Sequence, residues 1–534
     1  MTQAFVQPSS FDTRLNEENL ALIPQNVMMP GYDRSALTTG IVHIGGASNF
    51  FRSHLAVYMD DLMQQGKGQD FGIYAVSMRS PQPVADLNAQ NCLYTIEARD
   101  TDVKQTRVIG SITESRYLPD HYEHVLNTMA AQETKIYSLT ITQPGYCQNT
   151  KTGGLDTSHV DIRHDLMYPQ HPHSAIGLIV EALHRRFEAG HEPVTILSCD
   201  NLPANGRLLQ RMVSEMAAQR NEEGFSQWIE NKVAFPVTTV DRIAPVTTDE
   251  FRQDVRRTLG FHDTRPVLTE PFREFVIEDK FANDRPPFEE AGVKMVQNPD
   301  AFWSRKFGLL NTGHTLIATL AQRVGGLDHI DEAMTSPLVH KFVRGIMDQE
   351  ITPLLPQESQ TGIDHYKDAL LKRFSNTALK DRVDRVGAEG SRKIPKYVFS
   401  AIRQGLNQGT SIDGLSLVAA AWIHGLGQKD EQGRSIELRD PKLGQISGMG
   451  LDLVSAALSQ DKQQVAQILN ANSDFFGLEL AKSEKFQDSL AKALLQVGTQ
   501  PMQAIMKAYC DSQPAGAKPA PTLQVVHTPS PARP

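Results

Sequence analysis

Three side chains suited to acid–base and oxyanion chemistry stand within residues 306–314, where small or apolar residues separate Lys306, Asn311 and His314. On a helix, Asn311 and His314 lie one turn apart on one face, and Lys306 lies two turns before His314, roughly 12 Å of rise at about 1.5 Å per residue. A lysine held beside apolar residues loses hydration of its charged form, so its pKa falls toward the range useful for a general base. The alternative is a solvated lysine at a helix start with an internally hydrogen-bonded histidine, and these residues alone favour that alternative.

Two polar turns elsewhere carry further candidate side chains. Asn201 follows a β-rich segment at residues 195–198, and the carboxyl end of a strand in an open α/β sheet is where ligands bind. An Asx turn before Pro203 explains Asn201 equally well. Asp241 lies beside Arg242 in a polar turn predicted at residues 237–245, where a buried ion pair is the simpler explanation.

A strand, a glycine turn and a helix are predicted early in the chain. The β-rich run at residues 41–44 ends in Gly45 and Gly46, and a helical pattern runs from about residue 50 to 65. A second strand at 71–76 completes the spacing of a βαβ unit, so the turn could offer backbone N–H groups to a pyrophosphate. The glycine spacing is not a clean Gly-x-Gly-x-x-Gly, and paired glycines after a strand also form ordinary tight turns.

The alternation of elements predicts an α/β fold with a mostly parallel sheet. β-rich segments continue at 106–112, 135–142 and 195–198, and helical patterns, including an amphipathic one at 174–187, lie between them. Strand patterns fade near residue 295, after which long helical patterns dominate. We therefore expect an N-terminal arm (1–39), an α/β domain (40–295), a mainly α-helical domain (296–512) and a disordered Pro/Ala-rich tail (513–534).

Composition narrows the class of protein. The 534 residues, 40% of them hydrophobic, can bury a large core, and the net charge of -9 gives no electrostatic reason to expect nucleic acid or an anionic membrane as a partner. No run approaches the roughly 18 apolar residues of a membrane span. The four cysteines lack the spacing of a disulfide framework or a zinc site. We expect a cytoplasmic protein with a small-molecule partner, as a monomer or weak homo-oligomer.

Taken together, these segments resemble the mannitol dehydrogenase family of long-chain polyol dehydrogenases, which includes mannitol 2-dehydrogenase, arabinitol dehydrogenase and fructuronate reductase. The resemblance covers roughly residues 40–510. It is carried by motifs at residues 46–54, 198–206, 235–245, 270–279, 306–314 and 390–396, in that order. It implies a Rossmann-type N-terminal domain, a mainly helical C-terminal domain, a catalytic cleft between them, NAD or NADP as cofactor, and no metal.

The resemblance also implies roles for individual residues. Lys306 is similar to the family's catalytic base, and Asn201 and Asn311 to the pair that stabilises the alcohol oxygen as it becomes an alkoxide. His314 matches a substrate-positioning residue. The remaining matches are substrate-site positions, at Asp241, Arg385 and Lys393. The residue types suit the chemistry, because a lysine can take the hydroxyl proton while carboxamide N–H groups hold the growing negative charge.

Three departures from the family pattern bear on these expectations. The nucleotide turn is one residue longer, with Ser48 near the second glycine's place; its expected cofactor contacts are Gly45, Gly46, Ser48, Asn49 and Phe50. Trp303 replaces a glutamate that helps pass the lysine's proton to water. Arg79, rather than an acid, follows the second strand, so it is a candidate contact for a 2′-phosphate and leaves NAD and NADP both open.

The leading functional hypothesis is the NAD(P)-dependent interconversion of a linear polyol and its 2-ketose, with D-mannitol and D-fructose as the expected pair. The enzymatic alternative is reduction of fructuronate to mannonate, whose carboxylate would need a spare cation such as Arg385, Lys393 or Lys396. An alternative of another class is a catalytically weak nucleotide-binding or interaction protein on the same fold, motivated by the altered glycine turn and Trp303.

Overall fold

The computed structural model describes residues 13–513, which divide after Trp303 into two compact units. Unit 1 comprises residues 13–303 and unit 2 comprises residues 304–513. Residues 1–12 of the predicted arm lie outside the described residues. So does the predicted disordered tail, apart from Gln513.

The strands of the described chain lie in unit 1. In chain order they are β1 Thr39–Ile44, β2 Gly72–Ser77, β3 Tyr94–Asp100, β4 Val103–Ile109, β5 Ile112–Tyr117, β6 Ile136–Leu139, β7 Thr195–Ser198, β8 Thr238–Asp241, β9 Val267–Thr269, β10 Glu274–Glu278 and β11 Lys294–Val296. The α-helices of this unit are Asn49–Ser53, Leu55–Gln64, Gln82–Asn88, Tyr122–Ala130, Val160–Met167, Ala175–Glu188, Asn205–Ala218, Phe225–Lys232 and Asp249–Leu259. Short 3-10 helices are Glu17–Leu22, Arg34–Ala36, Gln69–Phe71, Leu118–Asp120, Gln143–Tyr146 and Phe288–Ala291.

A five-stranded parallel sheet in the order β5-β2-β1-β6-β7 forms the centre of unit 1. Alternate residues of β1 serve opposite faces: Val42 and Ile44 belong to one apolar cluster and Ile41 to the other. Both faces are thus buried, which explains the near-continuous apolar runs of these strands. Two three-stranded sheets, β11-β10-β8 and β4-β3-β9, complete the unit. The predicted α/β class is confirmed.

Several predicted elements differ in detail. The helix expected from residue 50 to 65 is two helices, broken at His54, whose φ of -119° and ψ of -95° are not helical. The segment at 106–112 belongs to two strands, β4 and β5, joined at Gly110. The polar turn expected at 237–245 was wrong in its first half, because Thr238–Asp241 forms β8; its β-branched residues suit a buried strand that pairs with β10.

The described part of the N-terminal arm packs on unit 1. Leu15 is fully buried and donates its N–H to the carbonyl of His262 at 3.0 Å, and Met28 donates to Thr106 at 3.1 Å. Arg34 donates to the carbonyl oxygens of Gly110 and Ile112, each at 2.9 Å. The arm therefore fixes the β4–β5 corner.

Unit 2 is helical. The helix Asp300–Arg305 leads into it, and its α-helices are Thr312–Val324, Ile330–Met334, Pro337–Ile346, Ile363–Phe374, Val383–Gly387, Gly390–Lys393, Ser400–Gln408, Asp413–Gly425, Leu443–Leu458, Lys462–Ala471, Ser473–Phe476, Leu478–Lys482, Glu484–Thr499 and Met502–Ser512. Two 3-10 helices lie at Thr352–Leu354 and Gln357–Gln360. Three further segments are π-helical, Lys306–Asn311, Met347–Ile351 and Ile394–Phe399. π-helical turns are rare and occur often at functional sites.

A buried carboxylate caps the central helix of unit 2. Glu350, on the π-helix Met347–Ile351, is fully buried and accepts hydrogen bonds from the N–H groups of Gly414 and Leu415 at 2.7 and 2.9 Å. The Tyr509 hydroxyl also donates to it, at 2.8 Å. The first N–H groups of a helix lack partners within that helix, so Glu350 supplies what the start of Asp413–Gly425 needs.

We expect Glu350→Ala to lower the free energy of unfolding by about 3 kcal/mol, because it leaves buried N–H and O–H donors unsatisfied. Denaturant titration followed by tryptophan fluorescence measures the change; one of the three tryptophans, Trp422, lies on the capped helix. The exposed Glu358 provides the matched control, and Glu358→Ala should change stability by less than about 0.5 kcal/mol. Equal losses in the two variants would contradict the capping role.

Candidate active site

A cavity of about 290 Å³ opens at the carboxyl ends of β1, β2 and β6 in unit 1. Residues 45–48 follow β1, residues 77–80 include the end of β2, and residues 140–142 follow β6, and all of them line the cavity. β2 pairs with β1 on one side and β6 pairs with it on the other, so the strand order reverses its direction at β1. This is the topological switch point at which open α/β sheets bind ligands.

The glycine turn after β1 has the conformation and clearance of a nucleotide turn. Gly45 and Gly46 have φ angles of +116° and +74°, which favour glycine, and both donate their N–H groups to the carbonyl of Val76. A Cβ atom on Gly45 would collide with the carbonyl oxygen of Thr140. The turn therefore packs directly on the neighbouring strands and leaves the space in front of it open, which fits a dinucleotide.

The predicted cofactor residues separate into two groups. Gly45, Gly46, Ser48 and Arg79 line the cavity, whereas Asn49 and Phe50 are not among its lining residues. Asn49 Nδ2 donates to the Pro245 carbonyl at 3.2 Å and to Thr247 Oγ1 at 3.1 Å. The Phe50 ring stacks on His54 with centroids 5.0 Å apart. Asn49 is thus bound to the segment after β8, and Phe50 packs on the residue that separates the two helices. Their contact with a nucleotide stays a prediction.

The cavity also contains ionisable residues that sequence reasoning missed. Arg265, His159, Asp161 and His173 line it, and Arg265 Nη1 lies 3.9 Å from Asp86 Oδ2. Asp86 is the first acid after Arg79 in sequence, so the nearest candidate for holding a ribose hydroxyl has an arginine beside it. No sequence pattern marks Arg265, because it reaches the cavity from the segment before β9.

Asn201 follows β7, next to a residue that is fixed by several hydrogen bonds. The preceding Asp200 is buried and accepts hydrogen bonds from the N–H groups of Ile141 and Thr142, at 3.2 and 2.8 Å, and from the Tyr146 hydroxyl at 2.9 Å. Burial raises the pKa of Asp200. The shared carboxylate fixes the β6 and β7 ends to each other, and Asn201 itself is exposed at this edge.

Asp241 is the last residue of β8, where it is 4% exposed and lies opposite Glu274 of β10. Its neighbour Arg242 donates from Nε and Nη2 to the carbonyl of Glu270, at 3.1 and 3.0 Å. Burial, with a contribution from Arg273, lowers the pKa of Arg242 to about 10. The arginine is therefore used to hold backbone carbonyls.

The π-helix Lys306–Asn311 contains the predicted base and one predicted oxyanion donor. Lys306 is only 4% exposed, so the interpretation as a solvated lysine was wrong. Gly308 lets the turn pack closely, since a Cβ there would lie 2.9 Å from Leu355. Within the described residues, the Asn311 Nδ2 atom is buried and has no hydrogen-bond partner. A spare buried donor is what an oxyanion site requires.

His314 lies one turn further along, in a cluster of charged side chains. Its ring stacks on Phe374 with centroids 4.8 Å apart, and its Nε2 atom lies 3.6 Å from Asp381 Oδ2. Burial lowers the pKa of His314 to about 4. The positive charges of Arg385, Arg373 and Lys393 also lower this pKa, whereas the negative charge of Asp381 raises it. The imidazole is therefore neutral near pH 7.

The predicted substrate residues Arg385 and Lys393 lie in this same cluster. Arg385 Nε donates to Asp381 Oδ1 at 2.8 Å, and Lys393 Nζ donates to the Val386 carbonyl at 2.7 Å. Burial and the nearby Arg385 charge lower the pKa of Lys393. Unit 2 thus brings together His314, Arg385 and Lys393, and their contact with a substrate stays a prediction.

A family model described as the mannitol dehydrogenase Rossmann domain matches residues 39–290, and one described as the mannitol dehydrogenase C-terminal domain matches residues 298–498. The chain belongs to the mannitol dehydrogenase family. The predicted Rossmann-type N-terminal domain and mainly helical C-terminal domain are confirmed, and so is the predicted class of enzyme, a polyol dehydrogenase.

Individual members of the mannitol dehydrogenase family match nearly full length. The chain is 38% identical over 481 residues to a mannitol 2-dehydrogenase of Phaeosphaeria nodorum, covering 87% of this chain and 84% of that protein. A solved structure, Pseudomonas fluorescens mannitol 2-dehydrogenase in ternary complex with NAD and D-mannitol, matches with a TM-score of 0.82 and 34% identity, covering 94% and 100% of the two chains. A substrate-free D-sorbitol dehydrogenase matches with a TM-score of 0.77 at 28% identity, covering 90% and 100%.

Residues 13–513 contain no helix long and apolar enough to span a membrane. Over the same residues, no group of three or more His, Cys, Asp or Glu side chains is placed to hold a metal ion.

We expect the enzyme to accept NAD and NADP with catalytic efficiencies within about 10²-fold of each other, or roughly 2.7 kcal/mol, because residues 77–80 offer Arg79 and no carboxylate to repel a 2′-phosphate. Arg79→Ala should lower the NADP to NAD efficiency ratio and the affinity for 2′,5′-ADP relative to 5′-AMP. Arg257→Ala, which changes an exposed arginine outside the cavity lining, is the control. An unchanged ratio in Arg79→Ala would show that this residue does not read the phosphate.

Proposed function

We propose that this polyol dehydrogenase interconverts D-mannitol and D-fructose, without a metal, with Lys306 as general base. The observation that carries the proposal is the π-helical turn that buries Lys306 five residues before Asn311, whose Nδ2 atom is an unsatisfied buried donor within the described residues. Two of the relatives support the substrate, since both are mannitol 2-dehydrogenases and one was solved with NAD and D-mannitol.

In the proposed reaction, Lys306 in its neutral form takes the proton of the substrate hydroxyl. Asn311 Nδ2 donates to the oxygen as negative charge develops, and Asn201 provides a second carboxamide donor. His314, neutral near pH 7, and Arg385 and Lys393 hold the remaining hydroxyl groups, as does Asp241. Donors that the protein already holds in place stabilise an alkoxide without the cost of reorganising solvent.

NAD, when bound, supplies the acceptor for the hydride that leaves the carbinol carbon. Gly45, Gly46 and Ser48 line the space that its pyrophosphate would occupy, and Arg79 and Arg265 border the rest of the cavity. NADP remains a proposed second cofactor because of Arg79.

A second candidate function is supported by the charges around His314. Arg373, Arg385 and Lys393 all act on this histidine, while Asp381 is the acid that acts on it. An excess of positive charge suits a substrate with a terminal carboxylate, so we propose reduction of fructuronate as the alternative activity.

Comparison of D-fructose and D-fructuronate as oxidants, each with NADH and NADPH, separates the two proposals. We expect fructose with NADH to be reduced with the higher kcat/KM, because Arg385 is already neutralised by Asp381. A higher kcat/KM for fructuronate would replace the first proposal by the second. Tight nucleotide binding without turnover of either ketose would instead indicate a nucleotide-binding protein.

Lys306→Ala should lower alcohol oxidation at pH 7 by about 10²- to 10⁴-fold, the usual contribution of a general base, while NAD affinity by calorimetry stays nearly unchanged. Asn201→Ala and Asn311→Ala should each lower kcat by about 10²-fold, a typical loss for an oxyanion donor. The exposed Lys341 and Asn407 serve as matched controls in Lys341→Ala and Asn407→Ala. Full turnover in Lys306→Ala would remove this lysine from the mechanism.

A further inference from the structure

We propose that Asp381 is the positioning residue of the substrate site in unit 2, holding Arg385 with one carboxylate oxygen and fixing the proton of His314 on Nε2 with the other. The inference rests on the proposed function of His314 and Arg385 as substrate contacts, and it adds a residue that faces the substrate only through them.

The Asp381 backbone is fixed independently of its side chain. Its carbonyl accepts a hydrogen bond from the N–H of Ile330 at 2.9 Å, and the next turn is held by Val383, which donates to the carbonyl of Asp328 at 2.9 Å. The side chain is buried, with the residue 6% exposed. The carboxylate is therefore presented from a rigid loop.

The two carboxylate oxygens have different partners. Oδ1 accepts the Nε–H of Arg385 at 2.8 Å and also contacts Arg385 Nη2, so the guanidinium is held along one edge. Oδ2 is buried and, among the described residues, has no hydrogen bond. His314 Nε2 lies 3.6 Å from Oδ2, only slightly beyond hydrogen-bond distance.

A buried carboxylate oxygen is costly to leave unpaired, so Oδ2 favours the His314 tautomer that carries its proton on Nε2. In that tautomer Nδ1 keeps its lone pair and accepts a substrate hydroxyl. The groups that act on the imidazole are Asp381, Arg385, Arg373 and Lys393, and Phe374 stacks on the ring. Without the Asp381 charge, three cations face the histidine, the tautomer is no longer selected, and Arg385 is free to turn.

Asp384 offers a matched control three residues away. It also binds arginines, accepting from Arg382 Nε at 2.9 Å and lying 3.1 Å from Arg439 Nη2. Its contact with Arg385 is to the backbone N–H, whereas Asp381 holds the Arg385 guanidinium. Asp384→Asn therefore repeats the chemical change of Asp381→Asn while leaving the carboxylate that holds the Arg385 guanidinium and faces the His314 ring in place.

The first test reads the tautomer directly in the full-length protein. In [15N]histidine NMR, with His314→Gln to assign the signal, we expect the wild type and Asp384→Asn to show a neutral His314 protonated on Nε2. Asp381→Asn should shift the signal toward a tautomer mixture and move protonation of His314 to lower pH, because Asp381 is the group that raises its pKa. An unchanged tautomer and titration in Asp381→Asn would overturn the proposal, whether or not the protein turns over a polyol.

The second test uses whichever polyol or keto-acid the wild type turns over. Asp381→Asn should raise KM about 10- to 100-fold with a smaller change in kcat, and Asp381→Glu should recover part of the loss, while NAD affinity and melting temperature stay near the wild-type values. In a His314→Gln background the same substitution should have a smaller effect, since coupled residues are not additive. Equal KM changes in Asp381→Asn and Asp384→Asn, or full additivity with His314→Gln, would assign Asp381 a structural role only. Absence of turnover in the wild type would refute the proposed function and leave the NMR result to decide on Asp381.

Discussion

Removing ionisable groups from water is the constraint on which this part of unit 2 depends. Lys306 is almost fully buried, and burial also lowers the pKa of His314 and of Lys393. Such groups stay in a protein interior only when they are neutral or provided with partners. His314 takes the first route, with a pKa near 4, and Arg385 takes the second, through Asp381. The fold therefore sets the positions of these groups, as the proposed stabilisation of a developing charge requires.

The nucleotide-binding side depends on a different arrangement, in which a few polar side chains hold the ends of neighbouring strands together. Asp200 binds the backbone beyond β6, and the fully buried Asn205 binds Thr238 of β8 through Nδ2 at 2.9 Å. Loops at the carboxyl edge of a sheet are usually the mobile parts of a domain. Here their backbone is held by two buried side chains, Asp200 after β7 and Asn205 at the start of the helix Asn205–Ala218.

Sequence patterns predicted the central sheet well, because buried parallel strands give apolar runs and the helices between them give a clear period. They failed where tertiary contacts decide. The polar threonines of β8 favour a turn in the sequence, although in the structure they are buried and belong to a strand that pairs with β10. Arg265 could not be found, since only the fold brings it to the cavity. The sequence singles out the lysine, the asparagine and the histidine at 306–314 as candidates, but their local residues favour a solvated lysine, and nothing in them indicates a π-helix. Burial of Lys306 is a property of the whole unit.

The π-helical turn also gives this chain an unusual dependence on its exact length. A π turn contains one residue more than the α-helical turn it replaces, and Lys306–Asn311 lies between the α-helices Asp300–Arg305 and Thr312–Val324. Loss of one residue there would let the helix close as a continuous α-helix and would rotate everything after it by about 100°, the angle per residue of an α-helix at 3.6 residues per turn. The helix Thr312–Val324 is buried on nearly all sides, so Leu316, Ile317 and Leu320 would then lose their packing positions in the core. A single inserted residue thus keeps the candidate site residues and the core residues of unit 2 at matching rotations about the helix axis. The number of residues in this turn therefore matters as much as the identity of its side chains.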